Sequence, residues 1–293
     1  MTTGSITAAT QVVNLSQPAI SRLIAVMEAE LGFKLFYRQG RRLIPSVEGR
    51  SFFLRIEGTL SGIDDIDSIA NDIRYNKEGR LRLCAMGPLL FSRLLPNAIA
   101  SYRSAYPETQ LTVEMRRRED IDEWVASRQA DLGFTLMPVE SKSVSSEQIV
   151  TVAAVGIVPK DHRLADQKVL SLSDFENETL ILPKQSIRLR QIVDAEILRG
   201  KRSVAVDIET STALASCHLV AQGVGVGVSD PFSFSGVGRE HIAVSRWEPA
   251  ITLTYCAIWP KDREPTDQTR RFLDVVRSSA EIFLNEYPEA RPQ

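Results

Sequence analysis

The stretch from Ser5 to Arg22 constrains the fold of this chain more than any other segment. It reads SITAATQVVNLSQPAISR. Apolar residues at helical spacing predict a short helix from Ser5 to Val13, and Asn14 and Leu15 make a turn. Ser16 is suited to cap a second helix, whose first turn tolerates Pro18 because no N–H is needed there. Two short helices joined by a tight turn can place polar side chains in the major groove of DNA.

The second helix has two chemically distinct sides. Its apolar residues follow one another at steps of four, three and four, namely Ile20, Ile24, Met27 and Leu31. Its opposite side carries Gln17, Ser21 and Arg22, and Gly32 ends it. The predicted DNA contacts of this helix are Ser16, Gln17, Pro18, Ser21 and Arg22.

A basic hairpin is predicted next, from Phe33 to Pro45. Apolar residues alternate on both sides of Gln39-Gly40, as in two paired strands. Three arginines lie near its tip: Arg38, Arg41 and Arg42. Taken alone, such a group is more often a solvated loop. Behind two helices of this kind it favours contacts with DNA phosphates or with the minor groove.

The charge distribution agrees with this interpretation better than the net charge of −2 does. Residues 1–50 hold six basic and three acidic side chains, whereas the remainder is acidic. A small basic head on an acidic body is typical of a DNA-contacting module joined to a different domain.

Residues 46–78 predict one long helix with a narrow apolar stripe. The stripe recurs at steps of three and four and consists of Ile56, Leu60, Ile63, Ile66, Ile69 and Ile73. An ordinary core helix is the alternative, but the length and position favour a dimerising connection between domains. Asn76-Lys-Glu-Gly79 breaks the helix and marks a boundary.

From Arg80 onward strands and helices alternate, which predicts parallel α/β architecture. The predicted strands are 81–86, 111–115, 131–135, 149–159, 180–182, 204–208, 224–228 and 251–259. Ligands in such folds bind where parallel strands end and helices begin. The residues at those positions are Pro88, Leu89, Thr135, Gln185, Ser186, Thr210, Ser211, Thr212 and Asp230. The hydroxyls and N–H groups of Thr210, Ser211 and Thr212 suit a carboxylate.

The chain resembles the LysR-type transcriptional regulators. Four segments match that family's head in order and spacing: SITAA, SQPAISR, ELGFKLF and GRRLIPSVEG. The resemblance implies a winged helix-turn-helix head (1–45), a linker helix (46–78) and a two-lobed, periplasmic-binding-protein-like α/β effector domain (79–293). Lobe I is expected at 80–148 and 254–286, and lobe II at 149–253. It also implies a homo-oligomer, a dimer or tetramer, bound to paired half-sites on double-stranded DNA.

The same resemblance implies one more helix before Gly4, so we expect the true start of the protein upstream of Met1. The alternative is a truncated head. In that case the chain would be a cytoplasmic small-molecule-binding protein with no DNA role.

Three segments of the body look most similar to regulators of lysine biosynthesis and of opine sensing. They are DEWVASRQADLGFT, PKDHRLA and GVGVGVSDP. This resemblance implies a small, amino-acid-like effector between the lobes.

Other chemistries are poorly matched. Gly223, Gly225 and Gly227 follow a predicted helix and enter a strand, the reverse of a dinucleotide-binding loop. The three histidines and three cysteines show no metal-ligand spacing, and Cys84, Cys217 and Cys256 are expected to be buried thiols. We therefore expect no metal, no cofactor and no enzymatic activity. With neither a signal peptide nor a 20-residue apolar run, a cytoplasmic protein without membrane contact is expected.

Overall fold

The computed structural model describes residues 10, 15–39, 42–53, 56, 79–199 and 205–292. The chain divides into two compact units, Met1–Asn71 and Asp72–Gln293. Several predictions fall outside the described residues: the helix Ser5–Val13 apart from Thr10, the hairpin tip Gly40-Arg41, and most of the linker helix.

The first unit contains helix α1 (Gln17–Leu31) and a two-stranded antiparallel hairpin, β1 (Phe36–Gln39) and β2 (Arg42–Pro45). Gly32 ends α1 in the left-handed conformation (φ 76°), which glycine adopts without a steric penalty. A helical segment, 47–53, follows β2. Its start is capped by Ser46, whose Oγ accepts a hydrogen bond from Gly49 N at 2.7 Å. The predicted second helix and hairpin are therefore confirmed.

Lobe I of the second unit is built on a five-stranded sheet in the order β4-β3-β5-β13-β6. Its strands are β3 (Leu81–Ala85), β4 (Leu111–Met115), β5 (Leu132–Leu136), β6 (Val144–Ala153) and β13 (Thr252–Pro260). Its helices are α2 (Gly87–Phe91), α3 (Leu94–Ala105), α4 (Arg118–Ala126) and α8 (Asp267–Glu286). Strand β3 runs parallel to β4 and β5, whereas β13 is antiparallel to β5 and β6.

Both faces of the lobe I sheet are covered. On one face Tyr102 of α3 and Phe134 of β5 make edge contacts with Phe272 of α8, and all three are buried. On the other face α4 lies so close to β5 that a side chain at Gly133 would come within 2.9 Å of Val125 and Ile121. A glycine at this strand position is therefore required by packing.

Lobe II is built on a six-stranded sheet in the order β10-β9-β11-β7-β12-β8. Its strands are β7 (Val155–Pro159), β8 (Val169–Ser171), β9 (Leu180–Pro183), β10 (Ile208–Thr210), β11 (Val226–Ser229) and β12 (Ile242–Glu248). Its α-helices are α5 (Arg188–Arg199), α6 (Ala213–Ala221) and α7 (Pro231–Ser235). Strands β10, β9 and β11 run parallel, so their carboxyl ends share one edge.

The chain crosses between the lobes twice. The first crossing lies later in the sequence than predicted, and the second lies earlier. The predicted boundary at 148/149 falls inside β6, which pairs with β13 over its whole length up to Ala153. The chain crosses at Ala154, whose N donates to Ile251 O at 2.8 Å on the returning segment. The return boundary likewise falls before Thr252 rather than at 253/254. The apolar run 149–159, which was predicted as one strand, thus contains the end of β6 and the whole of β7.

Both sheets are mixed rather than purely parallel, because β13 in lobe I and β7 in lobe II run against their neighbours. Strand β12 was not predicted, although it pairs with both β7 and β8. Within the described ranges, no helix has the length and apolarity needed to cross a bilayer.

Candidate functional site

Helix α1 presents the side chains predicted to contact DNA. Gln17, Pro18, Ser21 and Arg22 are all exposed, whereas Ile20 between them is buried. Ser16 occupies the N-cap position in extended conformation, but its hydroxyl makes no capping hydrogen bond. The first N–H groups of a helix lack partners within the helix. Among the described residues, this end of α1 therefore has backbone donors and a hydroxyl available for an external acceptor such as a phosphate.

Glu28 fixes the far end of α1 against the hairpin. Its Oε1 accepts hydrogen bonds from the backbone N of Leu35 (2.9 Å) and of Phe36 (3.2 Å). Its Oε2 accepts from Lys34 Nζ at 2.7 Å. The hydrogen bond from Lys34 is the main reason why the pKa of this buried carboxyl is lowered. This residue was not singled out from the sequence, where it looks like an ordinary surface glutamate.

The hairpin places two of the three predicted basic residues by backbone position. Arg38 lies opposite Leu43, and Arg42 lies opposite Gln39 at the end of the ladder. Arg41 lies outside the described residues, and so do the side chains of Arg38 and Arg42. The register therefore gives backbone positions for Arg38 and Arg42 only, and the cluster stays a prediction.

In the second unit, two short helices that follow parallel strands, one in each lobe, lie close together. Helix α2 follows β3 in lobe I, helix α7 follows β11 in lobe II, and the two helices pack together. The contact is close, since a side chain at Gly236, just after α7, would come within 2.7 Å of the carbonyl oxygen of Phe91. The segments that follow β3 and β11, one from each lobe, are therefore in contact through α2 and α7.

Lobe II supplies most of the polar groups at these strand ends. Gln185, Ser186 and Ser211 are exposed in the turns after β9 and β10. Thr212 caps α6, with its Oγ1 accepting from Ala215 N at 3.2 Å. Thr210 is buried, and its Oγ1 donates to Thr212 O at 2.9 Å and lies 2.7 Å from Ser216 Oγ. Ser211 and the first turn of α6 are therefore accessible to a ligand. The buried Thr210 holds this turn in place through its hydrogen bonds.

Arg190, not identified from the sequence, holds the two turns in place. Only 6% of this residue is exposed. Its Nη1 donates to Pro183 O at 2.9 Å, at the end of β9, and lies 3.3 Å from Glu209 Oε2 on β10. Its Nε donates to Asp194 Oδ1 at 2.6 Å. The sequence did not indicate that this arginine is buried, because the periodicity of its helix does not show that it also binds Pro183 and Glu209 on two strands.

The lobe I residues predicted to bind a ligand are mostly enclosed. Pro88 is half-buried in the first turn of α2, whereas Leu89 and Thr135 are 2% and 1% exposed. Thr135 Oγ1 lies 3.9 Å from Met86 Sδ. Leu89 and Thr135 are thus buried in lobe I and form no part of its exposed surface.

Asp230 points into the fold. Its Oδ1 accepts from Ser233 N at 3.0 Å and its Oδ2 from Ser233 Oγ at 2.6 Å, so the carboxylate caps α7. Burial raises its pKa, and the neighbouring Tyr255 hydroxyl, also buried, has a pKa raised well above its ordinary value. Asp230 is on lobe II and Tyr255 on lobe I, so the pair joins the lobes.

The buried thiols are poor nucleophiles. Cys84, Cys217 and Cys256 are free and buried, as predicted, and burial raises the pKa of each to about 12. A thiol with such a pKa is almost wholly protonated at neutral pH. None of these three thiols is therefore suited to act as a nucleophile at neutral pH.

Comparison with known proteins gives matches along almost the whole chain. Residues 1–50 match the model of the bacterial regulatory helix-turn-helix proteins of the lysR family, and residues 76–281 match the LysR substrate binding domain. The regulatory protein NocR of Agrobacterium tumefaciens (strain T37) is 30% identical over 95% of this chain and 94% of its own. The octopine catabolism/uptake operon regulatory protein OccR of Rhizobium meliloti is 30% identical over 79% of this chain and 76% of its own.

A solved structure has the same fold. Full-length CbnR, crystallised with its target DNA, has a TM-score of 0.73 with 18% identity, and the match covers 94% of this chain and 95% of that one.

Proposed function

Because the chain belongs to the LysR family of DNA-binding transcription regulators, with a helix-turn-helix head and an effector-binding domain, we propose that a small amino-acid-like effector controls its binding to an operator. The family match of residues 1–50 includes the head. The alternative of an effector-binding protein without a DNA-binding head is therefore set aside, and the relatives are regulators rather than enzymes.

For DNA recognition, we propose that α1 enters the major groove by its N-terminal end. The exposed Gln17 and Arg22 flank Ser21, and each of these side chains can reach base edges while Ile20 faces the core. Gln pairs by geometry with adenine and Arg with guanine. The backbone donors beside Ser16 suit a phosphate, which would fix the register of the helix.

The hairpin serves as the wing in this proposal. Arg38, Arg41 and Arg42 contact the DNA backbone, where they add affinity but little sequence preference. The segment 46–78 forms the linker helix that pairs two subunits, so that a homo-oligomer reads paired half-sites. Such a regulator works in the cytoplasm.

The exposed turns after β9 and β10 of lobe II support the effector proposal. Ser211, Thr212 and the first turn of α6 offer hydroxyl and N–H donors at a helix N-terminus, which suits a carboxylate. Gln185 and Ser186 lie on the neighbouring turn, and Arg190 fixes both turns. In this proposal α2 of lobe I, which carries Pro88 and packs against α7, completes the site. The name of OccR, an octopine operon regulator, agrees with an amino-acid-like ligand.

Thermal unfolding in the presence of candidate ligands tests this proposal. We expect free amino acids, diaminopimelate or opines to raise the unfolding temperature, since a ligand at 100 times its Kd stabilises the folded state by about 2.7 kcal/mol. The variant Ser211→Ala should reduce the shift, whereas Ser278→Ala, an exposed serine on α8, should not. A library of these compounds that leaves the wild-type curve unchanged would contradict the effector class.

A further inference from the structure

A row of buried polar side chains begins behind the turn where we propose that the effector binds. The hydrogen of Thr210 Oγ1 goes to Thr212 O at 2.9 Å, so the Ser216 hydroxyl, 2.7 Å from Thr210 Oγ1, is the donor in that contact. Thr210 ends β10 and Ser216 lies in α6, and only 8% and 1% of these residues are exposed. The first half of α6 is therefore held against the effector turn by two buried hydroxyls.

The next residue of α6 continues the row toward the end of β11. Cys217 Sγ lies 3.2 Å from Ser229 Oγ. Ser229 Oγ gives its own hydrogen to Asp230 O at 2.9 Å, so the thiol is the donor in the first contact. Both Cys217 and Ser229 are fully buried, where a polar group is costly unless it has a partner. A displacement of α6 therefore acts directly on the end of β11 and on Asp230, which follows it.

Tyr255 of lobe I meets this row at Asp230. Its hydroxyl donates to the Asp230 carboxylate, which also accepts two hydrogen bonds from Ser233. Among the described residues, no lysine, arginine or histidine pairs with this carboxylate. The pairing of β13 with β6 shifts its register between Tyr255 and Cys256, and such irregularities change the direction in which a side chain points. Tyr255 is thus a lobe I residue whose hydroxyl is bonded to the end of a lobe II row.

Helix α7 holds the ring of Tyr255 while the hydroxyl contacts Asp230. The helix packs against α6 in lobe II and against α2 in lobe I. Phe232 of α7 meets the Tyr255 ring edge-on, with 4.9 Å between the ring centroids, and both residues are buried. Closely packed interiors transmit strain, and a hydrogen bond weakens steeply as its geometry changes. A small shift of α6 should therefore change the hydrogen bond between Tyr255 and Asp230.

We propose that Tyr255 is a positioning residue, which couples the effector turn of lobe II to lobe I through its hydrogen bond to Asp230. This inference rests on the effector position proposed above, at Ser211 and the first turn of α6. A ligand that draws the first turn of α6 toward itself displaces the row of Thr210, Ser216, Cys217 and Ser229, and Tyr255 is the lobe I side chain at its end. Since coupling is reciprocal, Tyr255 also stabilises the turn that receives the ligand.

NMR of the full-length protein labelled at tyrosine Cζ tests the coupling without any ligand, because this ring carbon responds to the hydrogen bond of its hydroxyl. The chain has six tyrosines. The Tyr255 signal is the one that Tyr255→Phe removes. If that variant does not fold, Asp230→Asn, which retains a capping oxygen, identifies the same signal by moving it.

The two hydroxyls of the row that lie farthest along it from Tyr255 are then removed one at a time. We expect Thr210→Val and Ser216→Ala each to shift the Tyr255 signal, although neither residue contacts lobe I through a hydrogen bond. Ser278→Ala, an exposed serine on α8, should leave it in place. Tyr287 provides an internal control, since it is a buried lobe I tyrosine that packs on α7 through Phe234 but bonds to Glu286.

Hydrogen exchange tests the reciprocal effect. The amide of Ala215 donates to Thr212 Oγ1 in the first turn of α6. We expect Tyr255→Phe to speed its exchange about fivefold relative to the amides of α5 in the same lobe, so that a general loss of stability cancels. Tyr287→Phe should not change this ratio.

A Tyr255 signal that stays in place in both T210V and S216A would overturn the proposal. An equal shift of the Tyr287 signal, or equally faster exchange at Ala215 in Y255F and Y287F, would also overturn it, because any loss of packing on α7 would then have the same effect. None of these measurements uses an effector. The effector class can therefore fail in the thermal assay while the coupling of α6 to Tyr255 is confirmed, and the reverse.

Discussion

At the scale of single residues, Glu28 shows how a charged side chain can organise a backbone turn. One carboxylate accepts two backbone N–H groups and a lysine, and so connects α1 to the start of β1. Leu35 is only 5% exposed, so its N–H would have no easy access to water if Glu28 were absent. Glu28 therefore fixes the C-terminal end of α1 relative to the hairpin.

We predict that Glu28→Ala destabilises the first unit by about 1–3 kcal/mol, the cost of leaving a buried donor unpaired. Glu28→Gln keeps an acceptor oxygen and should lose less. Hydrogen exchange at the amides of Leu35 and Phe36 measures the effect directly. Unchanged protection of these two amides in E28A would show that the turn is held by other contacts.

The same carboxyl predicts a pH dependence with a definite sign. Its pKa is lowered in the folded state, so its contribution to stability is complete above its ordinary pKa of 4.5 and is lost as the pH falls through the lowered value. The stability difference between wild type and E28Q should therefore be largest near neutral pH. It should shrink below about pH 4, which exchange measurements across a pH series would record.

At the scale of elements, α7 packs lobe II against lobe I. All five of its residues are buried. Phe232 packs against Tyr255 and Phe283 of lobe I, and Phe234 packs against Tyr287. Any change of lobe geometry on effector binding has to be accommodated around this short helix, which lies beside the proposed ligand-binding turns.

Asp230, at the N-cap of α7, should make this connection sensitive to pH. Burial raises its pKa in the folded state above the ordinary 3.8, so its stabilising effect is complete below that value and decreases as the pH rises through the raised pKa. Tyr255 and Cys217, the neighbouring titratable groups, stay protonated because their pKa values are raised too. We predict that Asp230→Asn, which retains a capping oxygen, flattens the dependence of unfolding temperature on pH between 4 and 8. Parallel curves for wild type and D230N would refute this.

The elements that the sequence predicted well are those with strong periodicity. Helix α1, the hairpin, and strands such as β4 (Leu111–Met115) match the predictions within one or two residues. Strand β12 was missed because its alternation is interrupted by Ser245 and Arg246, and its place comes from pairing with β7 and β8. The crossing at Ala154 was missed because the apolar run continues through it, and periodicity carries no information about a change of sheet.

Only part of the candidate site could be predicted from the sequence, because the burial of each residue depends on tertiary contacts. Strand ends could be located, and Ser186, Ser211 and Thr212 do lie in the turns that follow β9 and β10, while their contact with a ligand stays a prediction. Whether a residue at a strand end faces a ligand or the core depends on tertiary contacts, and Asp230 and Thr135 are enclosed by them. Arg190 and Glu28 were not predicted, because each binds groups outside its own helix, and the periodicity of that helix does not reveal such partners.

Helix α1 itself gives a prediction about recognition. We expect Gln17→Ala to relax the sequence preference of the protein by about 1–3 kcal/mol at one base pair of each half-site, with a smaller effect on non-specific affinity. Glu30→Ala, exposed at the opposite end of the same helix, is the control. Competition binding with operator variants measures the preference. An equal loss on specific and scrambled DNA would mean that Gln17 contacts the backbone instead.

At the scale of the whole molecule, the protein combines a basic head with an acidic body. The head must attract DNA locally, because the chain as a whole carries a net charge of −2. Attraction through a few arginines predicts that binding is steeply dependent on salt, as counterions leave the phosphates. It also predicts that the charge of the effector domain is irrelevant to that slope.

Arg41→Ala tests this division between the domains. Each phosphate contact contributes about 0.9 to the slope of log Kobs against log salt concentration. In a dimer the substitution removes two contacts, so the slope should fall by roughly two, equally on specific and scrambled DNA. Arg246→Ala removes the same charge from an exposed position on β12 and should leave the slope unchanged. Fluorescence anisotropy at several salt concentrations measures both. If R41A instead changed sequence preference at constant slope, the hairpin would read bases, and the recognition assigned to α1 would have to be shared with it.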